Sequence, residues 1–70
     1  MRLKREIKAC ISRIETTEKL RTRSQAALLE AILMHTSPDD ADVDYFNRYT
    51  AIINEEREKM HALQKELKTL

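Results

Sequence analysis

The chain has 70 residues, a formal net charge of +1 and 36% charged residues, with no glycine, one proline and one cysteine. This length allows one small domain, spanning 1–70, and the abundant Ala, Leu, Glu, Lys and Arg favour helices over strands. A single cysteine excludes an internal disulfide, and no apolar run approaches the ~18 residues that a membrane-spanning helix needs. No secretory signal pattern follows the basic N-terminus, so we expect a cytoplasmic protein.

The first predicted element is a long helix over about residues 2–35. Its early apolar residues, Leu3, Ile7, Cys10 and Ile14, follow one another in steps of three and four, which places them on one stripe of a helix. Polar residues interrupt this stripe around Thr17, and a strongly apolar stretch returns near the end of the helix. The pattern is typical of a coiled-coil helix with a polar interruption.

The chain has one clear break, at Ser37 and Pro38. Ser37 is a favourable N-cap, and proline suits the first helical position because its missing N–H has no partner there. The turn is therefore predicted at about 36–37 and the second helix at about 38–69. An alternative places the cap at Asp42 or Asp44, because acidic residues favour the positive end of a helix.

The second helix repeats the apolar spacing of the first, through Phe46, Tyr49, Ile53 and onward. When the chain is folded back at the break, the polar Glu56 of the second stripe faces Thr17 in the polar part of the first. The agreement of these two patterns predicts an all-α, antiparallel two-helix hairpin resembling a coiled coil. We expect Arg21, one turn from Thr17, to reach Glu56.

The half of the hairpin nearest the turn is more apolar than one seam between two helices can cover. Helices that are apolar on most sides are usually buried on most sides, and large exposed apolar patches mark interfaces. We therefore expect a partner, either another helical protein or a second copy of the chain, to complete a helical bundle. The predicted partner-binding residues are Leu28, Leu29, Ile32, Leu33, Tyr45, Phe46, Tyr49, Ile52 and Ile53.

The residues that could carry chemistry have simpler structural explanations. Cys10 occupies a seam position and is expected to be a buried apolar residue. His35 and His61 fall far apart on the predicted hairpin, and the acidic run at 39–44 lacks the glycine and the final glutamate of a calcium loop. We predict no catalytic, cofactor or metal site, and no enzyme.

The basic N-terminal part offers an alternative function. Arg2, Arg5, Lys8 and Arg13 form a candidate nucleic-acid face that could follow a phosphate backbone in a homodimeric four-helix bundle that binds RNA. The chain is nearly neutral overall and has no aromatic residue in this segment for base stacking. A solvated helix face is the favoured interpretation, and nucleic acid is not the expected partner.

The layout resembles the small helical-hairpin co-chaperones of type III secretion needle subunits. The resemblance covers nearly the whole chain and consists of the apolar stretch from Ala26 to Met34, a short polar break, and Tyr45, Phe46, Tyr49, Ile52 and Ile53 in the second helix. It implies a small cytoplasmic chaperone that joins a second helical chaperone and keeps the needle subunit soluble. It also implies partner contacts at Leu28, Ile32, Phe46, Tyr49 and Ile53. The layout is similar as well to plasmid-encoded RNA-binding four-helix bundles.

The sequence therefore predicts a non-enzymatic protein–protein interaction module, with a chaperone or adaptor role as the leading hypothesis. The RNA-binding homodimer is the second hypothesis, and a purely structural coiled-coil piece of a larger assembly is the third. Concentration of the apolar excess at one end favours the first, because a symmetric antiparallel dimer would have stripes that are even along their length.

Overall fold

The computed structural model describes residues 2–69 and shows an antiparallel two-helix hairpin, as predicted. Helix α1 spans Arg2–Leu33 and helix α2 spans Asp40–Lys68, and the described part of the chain contains no strand. The hairpin is a rod of about 54 × 16 × 14 Å. The predicted domain span of 1–70 includes Met1 and Leu70, which lie outside the described residues.

Helix α1 ends at Leu33, two residues before its predicted end at 35. His35 follows in the left-handed conformation, with φ 56°. Its N–H donates to the Ile32 carbonyl at 3.1 Å, and the Thr36 N–H donates to the Ala31 carbonyl at 2.9 Å. These two bonds form a Schellman motif, which satisfies carbonyl groups left free at the helix end. The motif turns the chain out of the helix before the break predicted from proline.

Helix α2 begins at Asp40, with Asp39 as the N-cap in an extended conformation (φ −63°, ψ 136°). The predicted cap at Ser37, the predicted first helical residue Pro38 and the alternative caps Asp42 and Asp44 are therefore wrong. Residues 34–39 connect the two helices, and the Schellman motif at His35 and Thr36 takes up the first part of this connection. Proline also disfavours helical geometry at the residue before it, which keeps Ser37 outside the helix.

The core of the hairpin is a single layer of side chains between the two helices. In α1 and α2 the buried residues are Leu3, Cys10, Ile14, Thr17 and Ile53. Four of them come from the first half of α1, and from Glu18 to Leu33 this helix has half-buried and exposed residues but no buried one. The half nearest the turn is therefore the less protected half of the rod.

Two ion pairs join the helices near the middle of the rod. Arg13 Nε lies 2.9 Å from Glu56 Oε1, and Arg57 Nη2 lies 3.2 Å from Glu18 Oε1. Both pairs lie within one turn of the predicted meeting of position 17 with Glu56. The prediction that Arg21 reaches Glu56 is wrong, because Arg21 is eight residues after Arg13 and its side chain is rotated by about 80° toward the other edge of the seam.

Candidate interaction surfaces

The two ion pairs mark opposite sides of the hairpin. Arg13 and Glu18 are five residues apart, which corresponds to about 140° around a helix. Each forms a pair across the seam, Arg13 with Glu56 and Glu18 with Arg57, so each pair lies along one edge of the helix–helix contact. We call these edges the Arg13 side and the Glu18 side. They serve as references for assigning exposed apolar residues of the two helices to a side.

The Arg13 side carries three large exposed side chains. Leu20 lies two turns after Arg13, and Tyr45 lies three turns before Glu56. Ile52, one turn before Glu56, lines a shallow depression of about 200 Å³ together with Arg13. Leu20, Tyr45 and Ile52 are 37%, 49% and 41% exposed. This side therefore presents an apolar surface contributed by both helices.

The Glu18 side carries a separate apolar surface closer to the turn. On α1, Leu29 lies three turns after Glu18, and Ile32 is rotated from Glu18 by about 40° around the helix axis. On α2, Val43 lies fourteen residues, or about four turns, before Arg57 and therefore on the same side of the hairpin. Leu29 and Ile32 are 52% and 61% exposed, and Val43 is 37% exposed. Leu33 and Met34, at the tip, are also largely exposed.

The structure divides the predicted partner-binding residues into three groups. Tyr45 and Ile52 lie on the Arg13 side, whereas Leu29 and Ile32 lie on the Glu18 side with Leu33 toward the tip. Ile53 is 0% exposed and is removed from the partner surface, because it occupies the centre of the seam. The remaining three residues belong to the seam but are only half-buried: Leu28, Phe46 and Tyr49.

Leu20 and Val43 are exposed apolar residues that are not among the predicted partner-binding residues. Leu20 lies within the stretch interpreted as a polar interruption, and its polar neighbours in the sequence do not indicate an apolar surface. Leu20 lies seven residues after Arg13 and seven residues before Ala27, so the three residues lie along one line of α1. The ion pair between Arg13 and Glu56 then shows on which side of the hairpin this line runs.

A polar cluster interrupts the seam between its buried apolar residues. The Glu56 side chain is only 17% exposed, and Arg13 Nη2 also donates to Cys10 Sγ at 3.5 Å. The hydrogen bond from Arg13 lowers the pKa of the Glu56 carboxyl below its ordinary value, against the opposing effect of burial. Glu56 Oε2 is buried without a hydrogen-bond partner among residues 2–69. Cys10 is fully buried beside this cluster, which acts as a polar layer in the packing.

The four residues of the candidate nucleic-acid face differ in their surroundings. Arg13 is held by Glu56 and so leaves the predicted face. Arg2 Nη2 lies 4.0 Å from Glu66 Oε1, with both side chains mostly exposed. Arg5 and Lys8 are exposed and form no ion pair within the part of the chain that the structure describes. Two of the four residues of the candidate face, Arg2 and Arg13, therefore have a carboxylate partner on α2.

The described residues also bear on metal binding and on membrane spanning. Within residues 2–69 no group of three or more His, Cys, Asp or Glu side chains is placed to share a metal ion. Neither α1 nor α2 combines the length and apolar character required to cross a bilayer. No family model matches the chain, and no curated protein and no solved structure is significantly similar to it.

Proposed function

We propose that this chain is a non-enzymatic protein–protein interaction module that binds a helical protein surface through the half nearest the turn. One observation carries the proposal: large apolar side chains are exposed on both sides of that half, where neither helix covers them. Contiguous exposed apolar surface in a small protein usually marks an interface. The core residues, by contrast, are concentrated in the other half.

The energetics support an interface of useful strength. Burying the exposed part of a half-exposed leucine or isoleucine contributes about 1 kcal/mol, at roughly 25 cal/mol per Å². The exposed apolar residues of the turn half together supply several such contributions before the cost of association is subtracted. A two-helix rod with a single core layer has little stability to spare, so a partner that covers these residues also stabilises the fold.

The resemblance to needle-subunit co-chaperones extends the proposal to a cytoplasmic chaperone or adaptor. In that role the chain would cover an apolar face of a second helical protein until the complex is needed for type III secretion. The RNA-binding homodimer has less support, because Glu56 neutralises Arg13 and only Arg5 and Lys8 of the predicted face stay free of ion pairs in the described chain.

The test compares two isoleucines of equal exposure. Ile52 is 41% exposed in the turn half, and Ile11 is 40% exposed in the other half. We expect the wild-type chain to bind amphipathic helical peptides or to self-associate, as measured by fluorescence anisotropy and by light scattering. Ile52→Lys or Leu29→Lys should weaken that association at least tenfold, whereas Ile11→Lys should leave it unchanged.

Circular dichroism must show that each variant keeps the helical content of the wild type. The proposal is overturned if the wild-type chain is a stable monomer at all concentrations and binds no helical peptide. It is also overturned if Ile11→Lys weakens binding as much as Ile52→Lys.

A further inference from the structure

We propose that a second copy of this chain packs on the Arg13 side, with the two hairpins antiparallel and related by a two-fold axis at the level of Leu20 and Ile52. The inference rests on the proposed function and names the partner on one of the two sides. Three features of the described residues carry it: exposed apolar residues at the middle of the rod, opposite charges at nearly equal distances from Ile52, and the size of the long face.

The exposed apolar residues that the two helices contribute to the Arg13 side reach the middle of the rod. Leu20 lies about 4 Å from the midpoint of α1, and Ile52 lies about 3 Å from the midpoint of α2, both toward the turn. A two-fold axis at this level reverses the direction of the second copy, so Leu20 packs on its own counterpart and Ile52 does likewise. In this dimer α1 lies antiparallel to α1, and α2 lies antiparallel to α2.

Opposite charges lie at nearly equal distances from Ile52 along α2. Arg48 lies four residues before Ile52 and Glu55 three residues after it, and both are rotated from it in the same direction, by about 40° and 60°. Both side chains are exposed, and neither forms an ion pair within residues 2–69. The axis places Arg48 of each copy opposite Glu55 of the other. Because a two-fold contact requires each charge to meet its complement at the mirror position, this spacing selects a second copy.

An aromatic residue and a cation occupy the next mirror positions. Tyr45 and Lys59 lie seven residues before and after Ile52, on one line of α2, so the axis brings each Tyr45 ring to Lys59 of the other copy. A lysine over a tyrosine ring forms a cation–π contact. The Tyr45 ring is stacked on half-buried Tyr49, with centroids 6.1 Å apart and 17° between the ring planes. A side chain that is already held loses less entropy when it is covered.

The depression near the turn also complements this cation. It has a volume of about 470 Å³, no lysine or arginine lines it, and its lining includes three apolar residues and three carboxylates: Ala27, Ala31, Met34, Glu30, Asp39 and Asp42. Lys59 of the second copy lies opposite Tyr45, which is one turn from Asp42, and so reaches the edge of the depression. Its ammonium group complements the carboxylates, and its methylene stem packs on the apolar residues.

Packing the two copies with their turns at the same end is disfavoured. That arrangement sets α1 against α2 of the other copy and separates Arg48 from Glu55. Like charges then meet at similar heights along the Arg13 side, Glu6 with Glu66 and Arg13 with Lys59. The antiparallel arrangement instead places Arg13 opposite the small Ala27, since each lies seven residues from Leu20.

The size of the long face agrees with what a stable dimer needs. A stable interface buries about 800 Å² on each partner. The long face of the rod measures about 54 × 16 Å, so contact along its full length reaches this size, whereas the turn half alone offers half of it. The axis at Leu20 and Ile52 is close to the middle of the rod and gives nearly full overlap. The Glu18 side, with Leu29 and Ile32, stays open for another helical protein.

The experiment measures the mass of the full chain by sedimentation equilibrium over a range of concentrations, and we expect a monomer–dimer equilibrium. Arg48→Glu should weaken the dimer at least tenfold, because it sets two carboxylates against each other on both sides of the axis. Glu55→Arg should do the same with two cations. The double variant, Arg48→Glu with Glu55→Arg, restores opposite charges across the axis and should recover most of the affinity.

Arg5→Glu and Glu58→Arg make the same single changes of charge at exposed positions away from this face and should leave the dissociation constant nearly unchanged. A cross-link tests the orientation of the two copies. Ile52→Cys should form a disulfide-linked dimer in native buffer, because the axis brings the two copies of position 52 together. Ile11→Cys, equally exposed but seven residues before Glu18 on the other side, should not. The wild type, whose Cys10 is buried, should not cross-link either.

The possible failures are distinct. A wild-type chain that stays monomeric yet binds an amphipathic helical peptide overturns this proposal and leaves the proposed function standing. A dimer that neither single charge variant weakens, or that the double variant does not restore, overturns it as well. So does cross-linking through Ile11→Cys in place of Ile52→Cys, which assigns the contact to the Glu18 side. If the chain neither dimerises nor binds a helical peptide, the proposed function fails too.

Discussion

Arg13 and Glu56 form the closest ion pair between the two helices, with 2.9 Å between Nε and Oε1, in the part of the seam that contains the fully buried Cys10. Thr17 completes the local arrangement by donating its hydroxyl to the Arg13 carbonyl at 2.7 Å. A partly buried pair of this kind gives modest stability but penalises other alignments of the helices, since any shift leaves a charge without its partner. We infer that this pair fixes the register of the hairpin.

The first prediction concerns acid. Because the folded-state pKa of Glu56 is lowered, its contribution to stability is present above the unfolded pKa of about 4.3 and is lost as the pH falls through the lower folded value. The melting temperature should therefore drop in acid. Glu56→Gln should lower it at neutral pH and reduce its further fall in acid, as followed by circular dichroism from pH 7 to pH 2. Glu58→Gln, an exposed neighbour, serves as the control and should keep the wild-type pH profile.

The second prediction concerns the core. Ile53 is 0% exposed and Ile52 is 41% exposed, although they are adjacent in sequence. Replacing a buried isoleucine by alanine costs about 2–5 kcal/mol, a large share of the stability of a small domain. Ile53→Ala should therefore leave the isolated chain largely unfolded, whereas Ile52→Ala should keep its helical content in denaturant titrations. Equal destabilisation by the two variants would contradict the assignment of Ile53 to the seam.

The third prediction concerns the end of α1. His35 adopts a left-handed conformation, which costs about 1–2 kcal/mol for a residue with a Cβ atom. Glycine avoids this cost but gains freedom in the unfolded chain, which offsets part of the benefit. His35→Gly should stabilise the hairpin by up to about 1 kcal/mol in urea unfolding. His35→Ala retains a Cβ and should give no such gain, and a gain as large as that of glycine would refute the argument.

The fourth prediction uses Cys10 as a reporter of opening. Its side chain is fully buried, so a thiol reagent can reach it only when the helices separate. The labelling rate of the wild-type chain should be far slower than that of the urea-unfolded chain. It should fall further when a binding peptide is present, because the bound state opens less often. Labelling at the unfolded rate in native buffer would show that the seam is not closed.

Much of the fold could be predicted from the spacing of apolar residues. Alternating steps of three and four define both helices, and the coincidence of polar positions in the two stripes defines the antiparallel pairing. The helix ends were harder to predict. Helix α1 ends two residues before His35, which takes a conformation usually adopted by glycine, and at the start of α2 four acidic residues compete with Ser37 for the N-cap position. The partner of Glu56 could not be chosen from sequence either, since Arg13 and Arg21 lie at similar distances along the helix.

The candidate surfaces were predicted only in outline. Counting apolar residues showed that the half nearest the turn has an excess of them, but it could not assign these residues to the two sides of the hairpin. The side on which a residue lies depends on how each helix is rotated about its own axis. The ion pairs of Arg13 and Glu18 supply that rotation, and they separate Tyr45 and Ile52 from Leu29.

A core only one side chain thick has a consequence for how long each molecule survives in a cell. Binding of a partner stabilises the folded rod by an amount that grows with the partner concentration. The stabilisation is about 2.7 kcal/mol when the partner concentration is one hundred times the dissociation constant. Free molecules open more often and are cleaved by proteases in that state. We therefore expect the abundance of this protein to follow the abundance of its binding partner, so that surplus copies are removed by turnover.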